Sequence, residues 1–544
     1  MNSIFSIGGL GRRVGPLGDA ISYGVVPIVL VFVIGLALGY LPLTWAVALL
    51  VGSGALILIF VRPVIGLYLL VLAIPFGSIK EMSLGILGVG GAEALAVLTV
   101  IAWVVRMVAK REVRTVHPPL VVPLLVLLAV SSFSLLDALS LQWSLKGILV
   151  WLEVLAVYLL VVNLAGVRDL RIIVIVVLLA GSLQALLGFY QFFGRRGPEG
   201  FLLFDRFIRA YGTFEQPNPY GGYLGLILPL ALSLVLARWQ RRGVWPFIAR
   251  ALTGLSLVLM GVALLMSWSR GAWLGFAAGL ALIVAAGFWC RVFSDLVAGG
   301  LAGLLGGGLS ALWFHIPGRG WALPSLLGGL AGVGTGLGVA VALRRRWAWL
   351  LLALLLIMGA VFVVLGGGRV LPAVVGQRLS DFVPYLELAD VRGMHVTDEN
   401  YAVVERLAHW QAALDMLSDH PLLGVGVGNY VPVYPAYALP GWQDPLGHAH
   451  NYYLHVAAET GLLGLSTYLL FVLACFWHVW RVLGGVSGHW RGMALGILGV
   501  LGAFAVHSLF DNLYVHGMNM HLAILLGVAS VLGRKREVSL VEAS

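Results

Sequence analysis

Residues 172–190 read IIVIVVLLAGSLQALLGFY, an uncharged run preceded by Arg168 and Arg171. About 20 consecutive apolar residues are enough to carry a helix across the hydrocarbon core of a bilayer. Working outward, apolar segments begin near residues 24, 43, 63, 88, 119, 146, 170, 219, 249, 271, 295, 322, 347, 451, 491 and 517. The 544 residues are 60% hydrophobic and 11% charged, with mean hydropathy +0.98. Soluble domains carry about 25% charged residues, so a soluble globular protein is excluded. Both cysteines, Cys290 and Cys475, fall inside apolar runs, which argues against a disulfide framework or a thiolate metal site. No cleavage site precedes the first apolar run, so no removable signal peptide is expected.

The net charge of +10 reads as topology rather than nucleic-acid binding. Alternate short connections carry the basic residues: Arg12-Arg13, Arg62, Arg106 to Arg114, Arg168 with Arg171, Arg238 to Arg250, Arg291, Arg344 to Arg346, Arg481 with Arg491, and Arg534-Lys535-Arg536. That face holds 22 of the 34 Lys and Arg residues, and the positive-inside rule makes it cytoplasmic, with both termini inside. The opposite face carries two longer polar stretches, Gly194 to Asn218 and Gly366 to His450. The expected layout is an N-terminal transmembrane bundle over 1–365 and an extracytoplasmic loop domain with an amphipathic helix over 366–450. C-terminal transmembrane helices over 451–533 and a cytoplasmic tail over 534–544 complete it. Chemistry is sought in the long external connections, because loops held by rigid elements carry function.

Arg270, in Ser267-Trp268-Ser269-Arg270-Gly271, stands at an external junction of two uncharged segments. A snorkelling anchor is the plain reading. An outward arginine against the charge bias is instead a functional candidate. Arg406 flanks a stripe of Val403, Leu407, Trp410, Leu414 and Leu417, whose spacing predicts an amphipathic helix with that stripe on the membrane domain or bilayer. An ion pair with Glu405 or Asp398 competes with a site role. Gly424, Gly426 and Gly428 form a loop whose N–H groups suit a phosphate, or simply a tight turn. His448, His450 and His455 follow. Zinc is one reading, with a third ligand from His455 or Asp444. A histidine positioned to take a proton is the better account. Asn451 suits a helix cap, and Glu459 suits orienting a histidine or neutralising an arginine. Arg209, before Gln216-Pro217-Asn218-Pro219, reads first as part of a turn and second as a substrate contact.

Arg270, Arg406 and His450 reach one membrane face from three distant regions. Breaking a sugar–phosphate bond of a polyprenyl-diphosphate donor requires stabilising the departing negative charge, and arginine forks match phosphate geometry. The first external connection, Tyr40 to Thr44, offers no carboxylate for a metal. A metal-independent mechanism without cofactor is therefore expected, with His450 deprotonating an acceptor hydroxyl and inversion at the anomeric centre.

The motifs resemble the O-antigen ligase family, which overlaps O-antigen polymerases. Four elements carry the resemblance: Tyr211-Gly212-Thr213-Phe214 with Pro217-Asn218; Ser269-Arg270-Gly271; Arg406 and Trp410 with Pro421-Leu422-Leu423-Gly424-Val425-Gly426; and His450-Asn451 with Gly461 and Gly464. It implies a GT-C-type fold, and with the apolar segments above an all-α polytopic bundle of about 12–16 transmembrane helices is expected. It also implies an inverting enzyme in the inner membrane, using an undecaprenyl-diphosphate-linked glycan donor and a glycolipid acceptor such as lipid A–core. By the same resemblance the two arginines bind diphosphate and His450 is the base. A polymerase taking a second lipid-linked glycan is the variant reading. A small-solute transporter, which needs charges near the midplane such as Asp137, Glu153, Glu93 or Asp511, is the reading from another class.

Overall fold

The computed structural model describes Gly35 and residues 42–290 and 391–541, apart from 80–81, 85–86, 112–115, 117, 204, 238–242 and 398–399. The segments expected near 24, 295, 322 and 347, and residues 366–390 of the large loop, lie outside the described residues.

Two units are distinguished, Met1–Arg62 and Pro63–Ser544. In the first, α1 (Leu43–Val61) is apolar on every side, as a membrane helix is. The second unit begins with α2 (Val64–Ala73), the β1–β2 hairpin (Met82–Leu84, Leu87–Val89) and α3 (Gly91–Lys110). Next come α4 (Val121–Phe133), α5 (Leu141–Leu164) and α6 (Val167–Gly194), then a second hairpin, β3–β4 (Leu202–Leu203, Phe207–Ile208). The chain continues through α7 (Pro217–Gly225), α8 (Leu228–Leu236), α9 (Val244–Met266) and α10 (Arg270–Trp289). After residue 390 come α11 (Tyr401–Asp419), α12 (Tyr430–Tyr437), α13 (Tyr452–Gly485), α14 (Gly488–His507) and α15 (Met518–Val541).

Among the described residues nine helical spans are long and apolar enough to cross a membrane, and three shorter apolar helices accompany them. The protein is an all-α polytopic membrane protein. The segment expected near 219 is two helices, because Pro229 sits in the first turn of α8, where its missing N–H costs no bond. The segment expected near 451 is longer than a single crossing. It runs 34 residues and breaks at Gly461, whose φ of 64° no helix accommodates.

Small residues set the packing that positions the site. On α10, a Cβ at Gly275 would lie 2.7 Å from the Ala503 carbonyl oxygen, and one at Gly279 would lie 2.5 Å from that of Gly499. α10 and α14 therefore approach backbone to backbone, as small-residue stripes permit in membranes. Elsewhere Tyr158 on α5 bonds Ser530 on α15 at 2.8 Å inside the core.

Candidate functional site

Arg270 opens α10 directly after a tight reversal from α9. The reversal places Trp268 at φ 55°, a conformation that bulky side chains adopt only when their surroundings enforce it. Trp273 helps, its indole N–H donating to the Leu264 carbonyl at 3.0 Å. Arg209 braces the same turn from the β3–β4 side: Nε donates to the Ser267 carbonyl at 3.0 Å, and Nη2 to the Trp268 carbonyl at 3.3 Å and Asn218 Oδ1 at 3.4 Å. Arg209 is thus first a brace for this turn. Gly271 admits His507, whose ring would lie 2.8 Å from a Cβ at that position.

Arg406 stands on α11 and donates to the Ala402 carbonyl one turn back at 2.5 Å. The helix exists where expected, but its buried face is Val404, Leu407, Ala408, His409, Ala412, Ala413 and Met416, and Leu414 is exposed. Of the expected stripe, Leu407 is buried and Val403 and Trp410 pack against the same cluster. Ala408, Ala412 and Ala413 beside them let α11 lie close to its neighbours.

Arg270 and Arg406 line one cavity of about 140 Å³, together with Arg209, Trp268, Trp410, His507 and Asp511. His450 is not among the lining residues, but its Nδ1 lies 3.7 Å from Asp511 Oδ1. His448 Nε2 lies 3.6 Å from the same oxygen. The rings of His448 and His450 are 4.3 Å apart, and His409 meets His450 edge-on at 5.7 Å. Burial, and then the neighbouring His450, pushes the His448 imidazole down to about 3 and that of His409 down to about 4. Burial alone would raise the Asp511 carboxyl, but contact with His450 and the facing imidazoles of His448 and His507 hold it well below the usual carboxylate range.

The third group near the histidine pair is therefore Asp511, not the His455 or Asp444 expected for a zinc set. Asp444 accepts from the Leu446 N–H at 3.0 Å, and His455 pairs with Glu459 at 3.5 Å. One ligand-type atom from each of His448, His450 and Asp511 falls within 4.8 Å of the others. The backbone N–H of His450 donates to His448 Nδ1 at 3.0 Å, so the neutral His448 ring carries its proton on Nε2, facing Asp511.

Asn451 caps α13, accepting from the N–H groups of Tyr453 at 3.0 Å and Leu454 at 3.2 Å. The glycine-rich loop spends its donors internally, which overturns the phosphate reading. Val425 N–H goes to the Ala458 carbonyl and Gly426 N–H to the Glu459 carbonyl, each at 2.9 Å. The Glu459 carboxylate accepts from Gly428 N–H at 2.8 Å and Tyr430 N–H at 3.1 Å. Glu459 thus anchors loop to helix as well as touching His455.

The sequence reading missed His409 and His507 as site members and took Asp511 for a transporter-type charge. One signal was available: His507 and Asp511 share the i, i+4 spacing at the end of an apolar segment, as His455 and Glu459 do. Residues 325–469, which hold Arg406, the glycine loop and the histidines, match the family model described as O-Antigen ligase. No curated protein matches the chain.

Proposed function

We propose, for a chain that carries an O-antigen ligase-family domain, that it transfers an undecaprenyl-diphosphate-linked glycan onto a glycolipid acceptor such as lipid A–core. The transfer takes place at the outer face of the inner membrane, in a GT-C-type bundle, with inversion and without a metal. The observation that carries this reading is the single cavity where Arg270, Arg406 and Arg209 stand beside Asp511, the carboxylate touched by His448 and His450.

The chemistry follows from charge. As the sugar C1–O bond breaks, negative charge builds on the departing diphosphate. Guanidinium groups already in place at the cavity stabilise it without reorganising. His450, with its contact Asp511, serves as the proton-accepting pair for the acceptor hydroxyl, on the side opposite the diphosphate, which inverts C1. The cavity is smaller than the ~300–1,000 Å³ of pockets that enclose a whole ligand. It suits the reacting centre alone, with glycan and polyprenyl chain extending outside.

The test combines purified protein, an undecaprenyl-diphosphate glycan and a chelator with either lipid A–core or a second lipid-linked glycan. Transfer to lipid A–core supports the ligase reading, and chain extension makes the protein a polymerase. Transfer to neither, with intact donor and folded protein, sinks the proposal.

A further inference from the structure

We infer that His507 meets the diphosphate oxygen that leaves C1, its N–H stabilising the negative charge that appears only as that bond breaks. This rests on the glycosyl-transfer reading, keeps His450 as the base, and assigns a further residue to the leaving-group side.

Charge balance is the first support. Three guanidiniums, on Arg209, Arg270 and Arg406, and one carboxylate, on Asp511, line the cavity, which leaves two fixed positive charges. A diphosphate esterified at both ends carries one negative charge on each phosphorus, so the intact donor is already matched. Cleavage of the C1–O bond adds a third negative charge, on the departing oxygen. A group that meets this oxygen more strongly in the transition state than in the intact donor raises turnover, whereas one that holds both alike does not.

Placement is the second support. His507 is the last residue of α14 and only 3% exposed, yet it lines the cavity with the arginines. Glycines hold its ring on two sides. A Cβ at Gly222 would lie 3.3 Å from Cε1, and one at Gly271 would lie 2.8 Å from Cδ2 and 3.0 Å from Nε2. Nε2 is therefore the ring nitrogen turned toward the first turn of α10, the turn that carries Arg270. Neutral imidazole has one N–H to donate, and a ring gripped in this way presents it without reorganising.

The step balances. The acceptor oxygen bonds to C1 while the C1–O bond to the diphosphate breaks, its electron pair leaving with undecaprenyl diphosphate. The acceptor's proton passes to His450. His507 keeps its own proton and only shares it with the departing oxygen, so the imidazole is unchanged when the product leaves.

The experiment measures kcat, donor KM and inhibition by undecaprenyl diphosphate for the full-length protein, with the donor and acceptor of the preceding assay. His507→Leu is expected to lower kcat about 10²–10³-fold, the usual worth of one preorganised donor to developing charge, with donor KM little changed. Undecaprenyl diphosphate already bears the third charge and should inhibit this variant about tenfold less well than wild type. A side chain that merely fills space would not separate product from donor in this way. Glutamine places its amide near the position of Nε2, and asparagine near that of Nδ1. His507→Gln should therefore keep at least about a tenth of wild-type turnover, and His507→Asn should resemble the leucine variant. Near-wild-type kcat in His507→Leu overturns the inference, as does an equal weakening of donor and product. Should the leucine variant not accumulate, equal turnover in the glutamine and asparagine variants overturns it. A wild type that transfers to neither acceptor overturns the functional reading itself, whereas an active wild type with an unaffected His507→Leu overturns only this assignment.

Discussion

Gly461 and Leu422 meet backbone to backbone: a Cβ on Gly461 would lie 2.3 Å from the Leu422 carbonyl carbon and oxygen. Around that contact Leu462 N–H donates to the Pro421 carbonyl at 2.8 Å, and Gly424 lies against the Glu459–Thr460 peptide. The proline–glycine loop and the kink of α13 are therefore one structural unit, although some 40 residues separate their sequence motifs. That unit fixes where His448 and His450 emerge.

Gly461→Ala tests it. The residue has φ 64° as well as no room, so alanine brings both backbone strain and a clash. Strain of this kind costs about 1–3 kcal/mol. The expected result is a melting temperature lowered by several degrees in detergent, with transfer reduced because the histidines lose their register. An unchanged melt would mean that the kink relaxes freely and does not hold the loop.

The arginines make different demands. Arg270→Ala and Arg406→Ala are each expected to abolish transfer, by about 10²–10³-fold or more, while protein stays in the membrane at wild-type amounts. Lysine at either position should rescue poorly, since an ammonium lacks the planar fork that meets two phosphate oxygens. Near-wild-type turnover in either alanine variant removes that residue from the mechanism.

How much of this was legible in the sequence depends on the range of the interaction. Arg270 stood out because an outward arginine between uncharged segments breaks a charge pattern, and that pattern needs no coordinates. The helix around Arg406 is legible from its period, and so is the part of its packed face formed by Val403, Leu407 and Trp410. Apolar spacing passes over Ala408 and Ala412, which are buried beside them. Asp511 was hidden because its partners, His448 and His450, lie on another element about 60 residues away, and no local pattern encodes that pairing. The glycine loop is the tight turn its spacing favours, but the partners of its N–H groups, Ala458 and Glu459, are not readable from the local sequence.

Acid should weaken the fold. The imidazoles of His409 and His448 sit at about 4 and about 3, below the unfolded value near 6.5. Between those limits the unfolded chain binds protons that the folded chain refuses, so stability is full above about pH 6.5 and is lost as pH falls toward 4. The depressed Asp511 carboxyl acts in the same direction at lower pH. Thermal melts from pH 7.5 down to 4.5 should show a falling midpoint. His409→Gln should flatten that fall; an identical slope in this variant would exclude His409 as a contributor.

Helix approach and chemistry are coupled through α10. Gly275→Val places a branched side chain where a Cβ alone would lie 2.7 Å from the Ala503 carbonyl oxygen. Overpacking of this kind typically costs about 1–3 kcal/mol, and here it also pushes α10 away from α14. The displaced helix carries Arg270 away from His507 and Asp511. Transfer is expected to fall far more than donor-independent properties such as membrane yield. Equal transfer in Gly275→Val and wild type would show that the arginine does not depend on this packing.

Sidedness is the remaining physical expectation, and labelling decides it. With Cys290 and Cys475 replaced, a single cysteine at Glu199 is expected to react with a membrane-impermeant maleimide in spheroplasts. One at Arg106 should react only after the membrane is opened. The reasoning is electrostatic: the basic clusters at Arg106 and Arg168 stay on the cytoplasmic side, which puts the α6–α7 connection outside. The opposite labelling pattern would place the arginine cavity on the cytoplasmic face. An outward-facing lipid-linked glycan could not then reach it, and the proposed transfer would have no donor.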